Sequence, residues 1–137
     1  MIEVKVKHHF SAGHRIAGLR GEGGKCTNLH GHTFGVTWTY RTNSIKVGAI
    51  EFAEAKKVLR RWVDENLDHG YIVCRDDADL CEFLDLHGHK NYQLSVPPTT
   101  EAIAYEIATA SKDLIPRANL ISVSITEGPN NEAVCYV

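Results

Sequence analysis

Along residues 2–13 apolar and charged side chains alternate: Ile2, Val4 and Val6 fall on one side and Glu3, Lys5 and Lys7 on the other. That period of two predicts a strand with one buried face. Thr33 to Thr42, rich in Thr, Val, Phe, Trp and Tyr, predicts a second strand. Between them, Gly18 to Lys25 holds four glycines and three charges, which predicts a flexible loop. Ser44 to Gly48 reads as a turn. The period then changes. From Glu51 to Asn66, Phe52, Ala55, Leu59, Trp62 and Val63 fall on one stripe with Lys56, Lys57, Arg60 and Arg61 elsewhere, the pattern of an amphipathic helix. Leu67-Asp68-His69-Gly70 ends it, with Gly70 as the turn residue. Pro97-Pro98-Thr99-Thr100-Glu101 opens a second helix: Thr99 is a suitable N-cap, and Glu101 in the first turn suits the positive end of the helix dipole. Ile103, Ile107, Ala110 or Ser111, and Leu114 give it an apolar stripe, and Pro116 stops it. Leu120 to Thr126 and Ala133 to Val137 read as third and fourth strands joined by a tight turn, Glu127-Gly128-Pro129-Asn130-Asn131. Two strands, two helices and two strands predict an α+β domain: a four-stranded antiparallel sheet with two helices on one face. Residues 74–97 resist this reading. They are acidic early (Asp76, Asp77, Asp79, Glu82), then polar, with His87-Gly88-His89.

Composition narrows the picture. A chain of 137 residues fits one domain over 1–137, with a small core that can lean on oligomerisation. A net charge of −2 and a pI near 6.4 argue against nucleic acid as the main partner. The sequence holds no apolar run long enough for a transmembrane helix, and the alternating N-terminus is unlike a signal peptide. Cys26, Cys74, Cys81 and Cys135 are scattered without a C-x-x-C, which predicts no disulfide framework and fits a reducing, cytoplasmic setting.

The chemistry concentrates at Cys26-Thr27-Asn28-Leu29-His30-Gly31-His32, with His14 upstream. His-x-His on a strand places two imidazoles on one face. His14, at the end of the preceding strand, would supply a third nitrogen. Three protein ligands with an open position is the pattern of catalytic zinc. Cys26 has two readings. It is the fourth ligand of a closed structural site, with its sulfur about 2.3 Å from the metal, or an unbound thiolate whose pKa the nearby cation lowers. The glycine-rich loop before it favours the second, since a mobile loop suits a base that meets substrate.

Phe10-Ser11-Ala12-Gly13-His14-Arg15 followed by Cys26-x-x-x-His30-Gly31-His32 resembles the 6-pyruvoyl-tetrahydropterin synthase family, and the short Cys-to-His spacing is similar to its bacterial 6-carboxy-tetrahydropterin synthase branch of the queuosine pathway. Leu67-Asp68-His69, Pro98-Thr99-Thr100-Glu101 and Thr126-Glu127 through Tyr136 match later family blocks in order. The resemblance implies the T-fold, assembled into rings that stack as a homohexamer with sites at subunit interfaces. It implies Zn²⁺ on His14, His30 and His32, and 7,8-dihydroneopterin triphosphate as substrate. Cys26 would remove a proton from the substrate's side chain. Asp68 and His69 would carry protons as a pair, which in the family can come from the neighbouring subunit. Glu127 would anchor the pterin through two parallel N–H bonds, with Thr99, Thr100 and Glu101 lining the same pocket. Triphosphate leaves, and in the carboxy branch a two-carbon fragment departs as acetaldehyde.

Some positions depart from that pattern or stay outside it. Glu51 stands where the family has an aspartate, which bears on the helix start and not the chemistry. His8 and His9 read as non-ligands, His87 and His89 as part of a solvated loop, and Asp76, Asp77 and Asp79 as an acidic loop without the glycine and distal glutamate of a calcium loop. Arg15 and Lys25 are the candidates for the triphosphate. A cupin-type oxygenase also uses His-x-His, but Thr33 to Thr37 supplies no glutamate and the two helices are foreign to a β-barrel. A non-catalytic zinc module is the other alternative. The 6-pyruvoyl-forming or folate-pathway reactions are the alternatives within the family.

Overall fold

The structure is a computed structural model that describes residues 1–48 and 50–137. β1 (Ile2–His14) leads through a short 3-10 helix (Gly21–Thr27) to β2 (His30–Thr42) and α1 (Phe52–Asn66). The chain continues through β3 (Gly70–Cys74), α2 (Ala78–Leu86), β4 (Asn91–Leu94), α3 (Thr100–Ser111), β5 (Asn119–Glu127) and β6 (Asn131–Tyr136). The strands form a six-stranded sheet in the order β4-β3-β1-β2-β5-β6.

The predicted strands and helices form close to their expected bounds, but the sheet has six strands where four were expected, and it is mixed. β1, β2, β5 and β6 are antiparallel neighbours. β3 runs parallel to β1, and β4 parallel to β3. Parallel neighbours require a crossover, and α2 is the one between β3 and β4. All three extra elements lie in or beside the stretch that showed no period. β3 has five residues and β4 four, too short to display an alternation. α2 buries only Leu80, Cys81 and Leu84 and carries acidic residues around them.

α1 and α3 share a single core with one face of the sheet. Val6, Phe10, Phe34, Val36, Trp38, Val123 and Ile125 point into it, against Ala55, Leu59 and Val63 of α1 and Ile103, Ala104 and Ile107 of α3. Each valine, leucine, isoleucine or phenylalanine among them, once buried, contributes on the order of 1.5–3 kcal/mol. Deep in this core the Trp38 indole N–H donates to Ser111 Oγ at 2.9 Å, so neither polar group is stranded. α2 lies on the opposite face. Ile72 joins the main core, whereas its neighbours Tyr71 and Val73 join Leu80, Cys81 and Leu84, as alternation along a strand requires.

The helix starts follow from their caps. Thr99 Oγ1 accepts from Ala102 N at 3.2 Å, a contact worth about 1 kcal/mol. Glu51 caps α1 by accepting from Ala53 N and Glu54 N at 3.0 and 2.7 Å. Its carboxyl is held below its ordinary pKa by those two amides. The loop expected to be flexible is wound: residues 21–27 form the 3-10 helix, with Thr27 Oγ1 donating to Gly24 O and Ile16 N to Cys26 O. The turn after α1 also differs from expectation. His69, not Gly70, takes the left-handed conformation, with φ of 58°.

Candidate metal centre

The pairing of β1 with β2 sets the first part of the site. It runs unbroken from Ile2↔Thr42 to His14↔His30, passing Gly13↔Gly31 and Ala12↔His32. Phe10, Ala12 and His14 therefore share the core-facing side with His30, His32 and Phe34. The imidazoles continue the row begun by the stacked Phe10 and Phe34 rings, and His14 is completely buried. On β5 the inward row Val123, Ile125 reaches Glu127, which pairs with Phe34. Three histidines and one carboxylate thus close the end of an otherwise apolar core. One ligand-capable atom from each of His14, His30, His32 and Glu127 lies within 4.8 Å of the others.

The ring orientations are specific. His14 Nδ1 donates to Pro98 O at 2.8 Å, and His30 Nδ1 to Asn28 O at 2.6 Å. A neutral imidazole whose Nδ1 carries the hydrogen has a bare lone pair on Nε2. Those two Nε2 atoms face one another at 3.1 Å. Among the described residues His32 Nε2 is buried with no aligned hydrogen-bond partner, although Glu127 Oε1 lies 2.8 Å away. The two facing lone pairs repel each other unless a cation sits between them, the unpartnered His32 nitrogen is placed to join in holding it, and backbone carbonyls on the outer nitrogens are the usual support of metal-bound histidine. Burial is the main cause that pushes His14 below its ordinary pKa of 6.5, which favours the neutral, ligating form. The residues present therefore fit a metal ion of the kind imidazole prefers.

Glu127 Oε2 accepts from Thr100 Oγ1 at 2.5 Å. The Pro98-Thr99-Thr100 stretch consequently does three things at once. Its first carbonyl orients His14, its second residue caps α3, and its third holds Glu127. Capping and site-lining are both served by the same short block.

Asp68 and His69 form the second part. Asp68 Oδ2 meets His69 Nδ1 at 2.8 Å, and Asp68 Oδ1 accepts from Ser11 N at 2.9 Å. The His69 amide returns a bond to Ser11 O at 2.7 Å, so this turn is strapped to β1 from both directions. Partial burial works against the ionised Asp68, but the Ser11 amide, the His69 ring and the Lys90 charge outweigh it and hold the carboxyl below its usual range. A cavity of about 640 Å³ lies between the two parts, lined by His30, His32, Thr33 and Leu29 on one side and His69, Gly70 and Tyr71 on the other.

The structure thus gathers His14, His30, His32, Glu127 and Thr100 into one cluster, and His69 faces the cavity that His30 and His32 line. Thr99 remains at the helix cap. Cys26 is half-buried in the 3-10 helix and Glu101 is exposed on the first turn of α3. Neither belongs to the four-residue group or to the cavity lining. Arg15 is already engaged: its Nε and Nη2 donate to the two oxygens of Asp77 at 2.7 and 2.6 Å, and this pairing pushes Asp77 down and Arg15 up from their ordinary values. His8 pairs with Asp64 at 2.7 Å, and His87 and His89 are exposed beside Phe83. Tyr71 is the wall residue that sequence reasoning passed over. Its ring covers Gly13, where an added Cβ would approach within 2.6 Å.

With this geometry in hand, comparisons with known proteins are consistent with it. The family description 6-pyruvoyl tetrahydropterin synthase matches residues 3–136. A 6-carboxy-5,6,7,8-tetrahydropterin synthase of Rickettsia felis is 36% identical over 107 residues, 76% of this chain and 75% of that protein. One of the same name from Haemophilus influenzae is 25% identical over 112 residues, covering 76% of this chain and 77% of that protein. Among solved structures, 6-pyruvoyl tetrahydropterin synthase of Caenorhabditis elegans superimposes with a TM-score of 0.70 at 23% identity, covering 99% of this chain and 95% of that one. An uncharacterized protein of Wolinella succinogenes gives 0.84 at 21% identity, covering 98% and 97%. These likenesses establish the T-fold.

Proposed function

The chain belongs to the 6-pyruvoyl tetrahydropterin synthase family, and on that premise we propose that it is a zinc-dependent 6-carboxy-5,6,7,8-tetrahydropterin synthase acting on 7,8-dihydroneopterin triphosphate, in the cytoplasm, within queuosine biosynthesis. The branch follows the names of relatives such as the 36% identical Rickettsia felis protein. The observation that carries the metal is the pair of bare Nε2 atoms of His14 and His30 facing each other beside the orphaned Nε2 of His32.

His14, His30 and His32 would hold the ion. When bound, zinc makes a coordinated hydroxyl more acidic and polarises an adjacent carbonyl. The rest of the work falls to the chain. Glu127 accepts the two N–H groups of the aminopyrimidine edge, and the Thr100 hydroxyl fixes the carboxylate's rotation. A ring lacking those donors leaves a half-buried carboxylate unpaired, so the contact discriminates as well as binds. Cys26 takes a proton from the substrate side chain. His69 gives and takes protons at its free Nε2, while Asp68 fixes its Nδ1 and stabilises the imidazolium. Release of triphosphate is followed by cleavage of the side chain's carbon–carbon bond with consumption of one water: its hydroxyl completes the carboxyl on the ring side, its hydrogen completes the departing acetaldehyde, and the carboxy-pterin remains. A homohexamer, built as a dimer of trimers, would complete the site at subunit interfaces and bring Glu101 to the pocket.

A second reading comes from the 2.8 Å approach of Glu127 to His32, which makes Glu127 a fourth metal arm instead of the ring's anchor. Metal analysis joined to product identification from 7,8-dihydroneopterin triphosphate tests both. Stoichiometric zinc with 6-carboxytetrahydropterin and acetaldehyde as products is expected. Glu127→Ala should raise KM and leave zinc occupancy intact; loss of zinc from that variant favours the second reading. A 6-pyruvoyl product, or no turnover by the zinc-loaded protein, overturns the assignment.

A further inference from the structure

The segment that showed no period contains one cation aimed at the site's second wall. Lys90 is half-buried and lies immediately before β4. Its Nζ donates to Asp64 O and to Asp68 O, both at 2.6 Å. Asp64 lies in the last turn of α1, where the final four carbonyls have no partner within the helix. The nearby Val63 O takes the amides of both Leu67 and Asp68, so the Asp64 carbonyl is left for Lys90. A cation is favoured there by the helix dipole as well.

Two further contacts fix the same side chain. Lys90 O accepts from Tyr71 N at 3.0 Å. The Lys90 stem lies across Gly70, where an added Cβ would come within 3.0 Å of Cγ and 3.0 Å of the carbonyl oxygen. Between these anchored residues sits His69 in the left-handed region, which a residue with a Cβ adopts at a cost. Something outside the turn must hold it there.

We infer that Lys90 is a positioning residue: its ammonium joins the last turn of α1 to the Asp68 carbonyl and so holds the Asp68–His69 pair in its orientation toward the cavity. This rests on the proton-carrying role given to that pair under the proposed function. It assigns to the α2–β4 segment a part in the reaction, although none of its side chains lines the cavity.

The test compares Lys90→Met, which keeps the stem and removes the donors, with Lys90→Arg, using the zinc-loaded protein and 7,8-dihydroneopterin triphosphate. Lys90→Met should lower kcat by about ten- to a hundredfold, the range for a misplaced catalytic group, with KM and zinc content within about twofold. Lys90→Arg should restore most of kcat. In a His69→Ala background, Lys90→Met should lower kcat no further, because the lysine acts through the histidine. Gly70→Ala, which pushes on the Lys90 stem, should resemble Lys90→Met. An unchanged kcat in Lys90→Met, or an additive loss in the double variant, overturns the inference while the wild type is active. If the wild type itself does not turn over, the functional reading fails and amide exchange decides the positioning. Lys90→Met should then speed exchange of the His69 amide by about tenfold or more, and unchanged exchange overturns it.

Discussion

His14, His30 and His32 stand where they do because thirteen residues of β1 pair with thirteen of β2 without a break. Asp68 and His69 are placed by another route, and His69 reaches the cavity that His30 and His32 line. Asp68 and His69 follow a helix, precede a strand of five residues, and are held by Ser11 from β1 and by Lys90, which immediately precedes β4. The first wall is a matter of register: once the strands align, the imidazoles have no freedom to be elsewhere. The second depends on contacts between residues far apart in sequence, each of which can be lost separately. The three converging nitrogens that could hold a metal ion are therefore built on the rigid wall, and the Asp68–His69 pair on the adjustable one.

His30→Ala attacks the rigid wall directly. Metal should be lost and activity should fall to background, because two nitrogens on this surface leave the ion without its third protein ligand; metal analysis and turnover check it together. Thr100→Val tests whether the carboxylate at the end of β5 shares that rigidity. Removing a hydroxyl that donates to a charged group costs about 1.5–3 kcal/mol, so KM should rise by roughly ten- to a hundredfold with metal retained. An unchanged KM would show that Glu127 needs no orientation. Gly13→Ala probes the seam between the walls. The new Cβ would lie 2.6 Å from the Tyr71 ring, and overpacking of this kind costs about 1–3 kcal/mol in a thermal or urea melt. In a Tyr71→Ala background most of that cost should vanish.

The smallest effect belongs to the α2 side. Asp77→Asn breaks the forked contact with Arg15 and should destabilise the fold by about 1 kcal/mol. Arg15 holds the Asp77 carboxyl below its ordinary value of 3.8. The contribution is therefore complete above that value and fades as pH falls through the lowered one. The stability gap between wild type and Asp77→Asn should be constant near neutrality and close in acid. A gap that instead widened in acid would contradict the pairing.

The same contrast explains what could be read from the chain alone. The long strands β1, β2 and β5 and the helices α1 and α3 carry a sustained period, and the three histidines follow from strand alternation plus one pairing. Glu127 and the Thr100 block came from resemblance; the structure adds that they touch. β3, α2 and β4 were illegible because each is short and their burial is decided by the sheet they join. Leu80, Cys81 and Leu84 do fall on one helical face, but three residues amid Asp77, Asp79, Glu82 and Asp85 are a weak stripe. The loop before Cys26 was misread for a different reason. Its glycines suggested mobility, whereas the fixed contacts of Thr27 and of the Cys26 carbonyl wind it into a 3-10 turn. The left-handed turn after α1 falls on His69, and Gly70 serves another purpose: a Cβ there would come within 3.0 Å of the Lys90 stem.

Pro98 and Thr100 are two residues apart, yet one steers an imidazole of the ion and the other the carboxylate at the end of β5. A helix that slid by a fraction of a turn would disturb both together. Retuning this protein toward a different heterocycle by substitutions around the α3 entrance would thus be felt first as a change in how tightly it keeps its ion, and libraries screened for new substrates should be assayed with the metal supplied in excess.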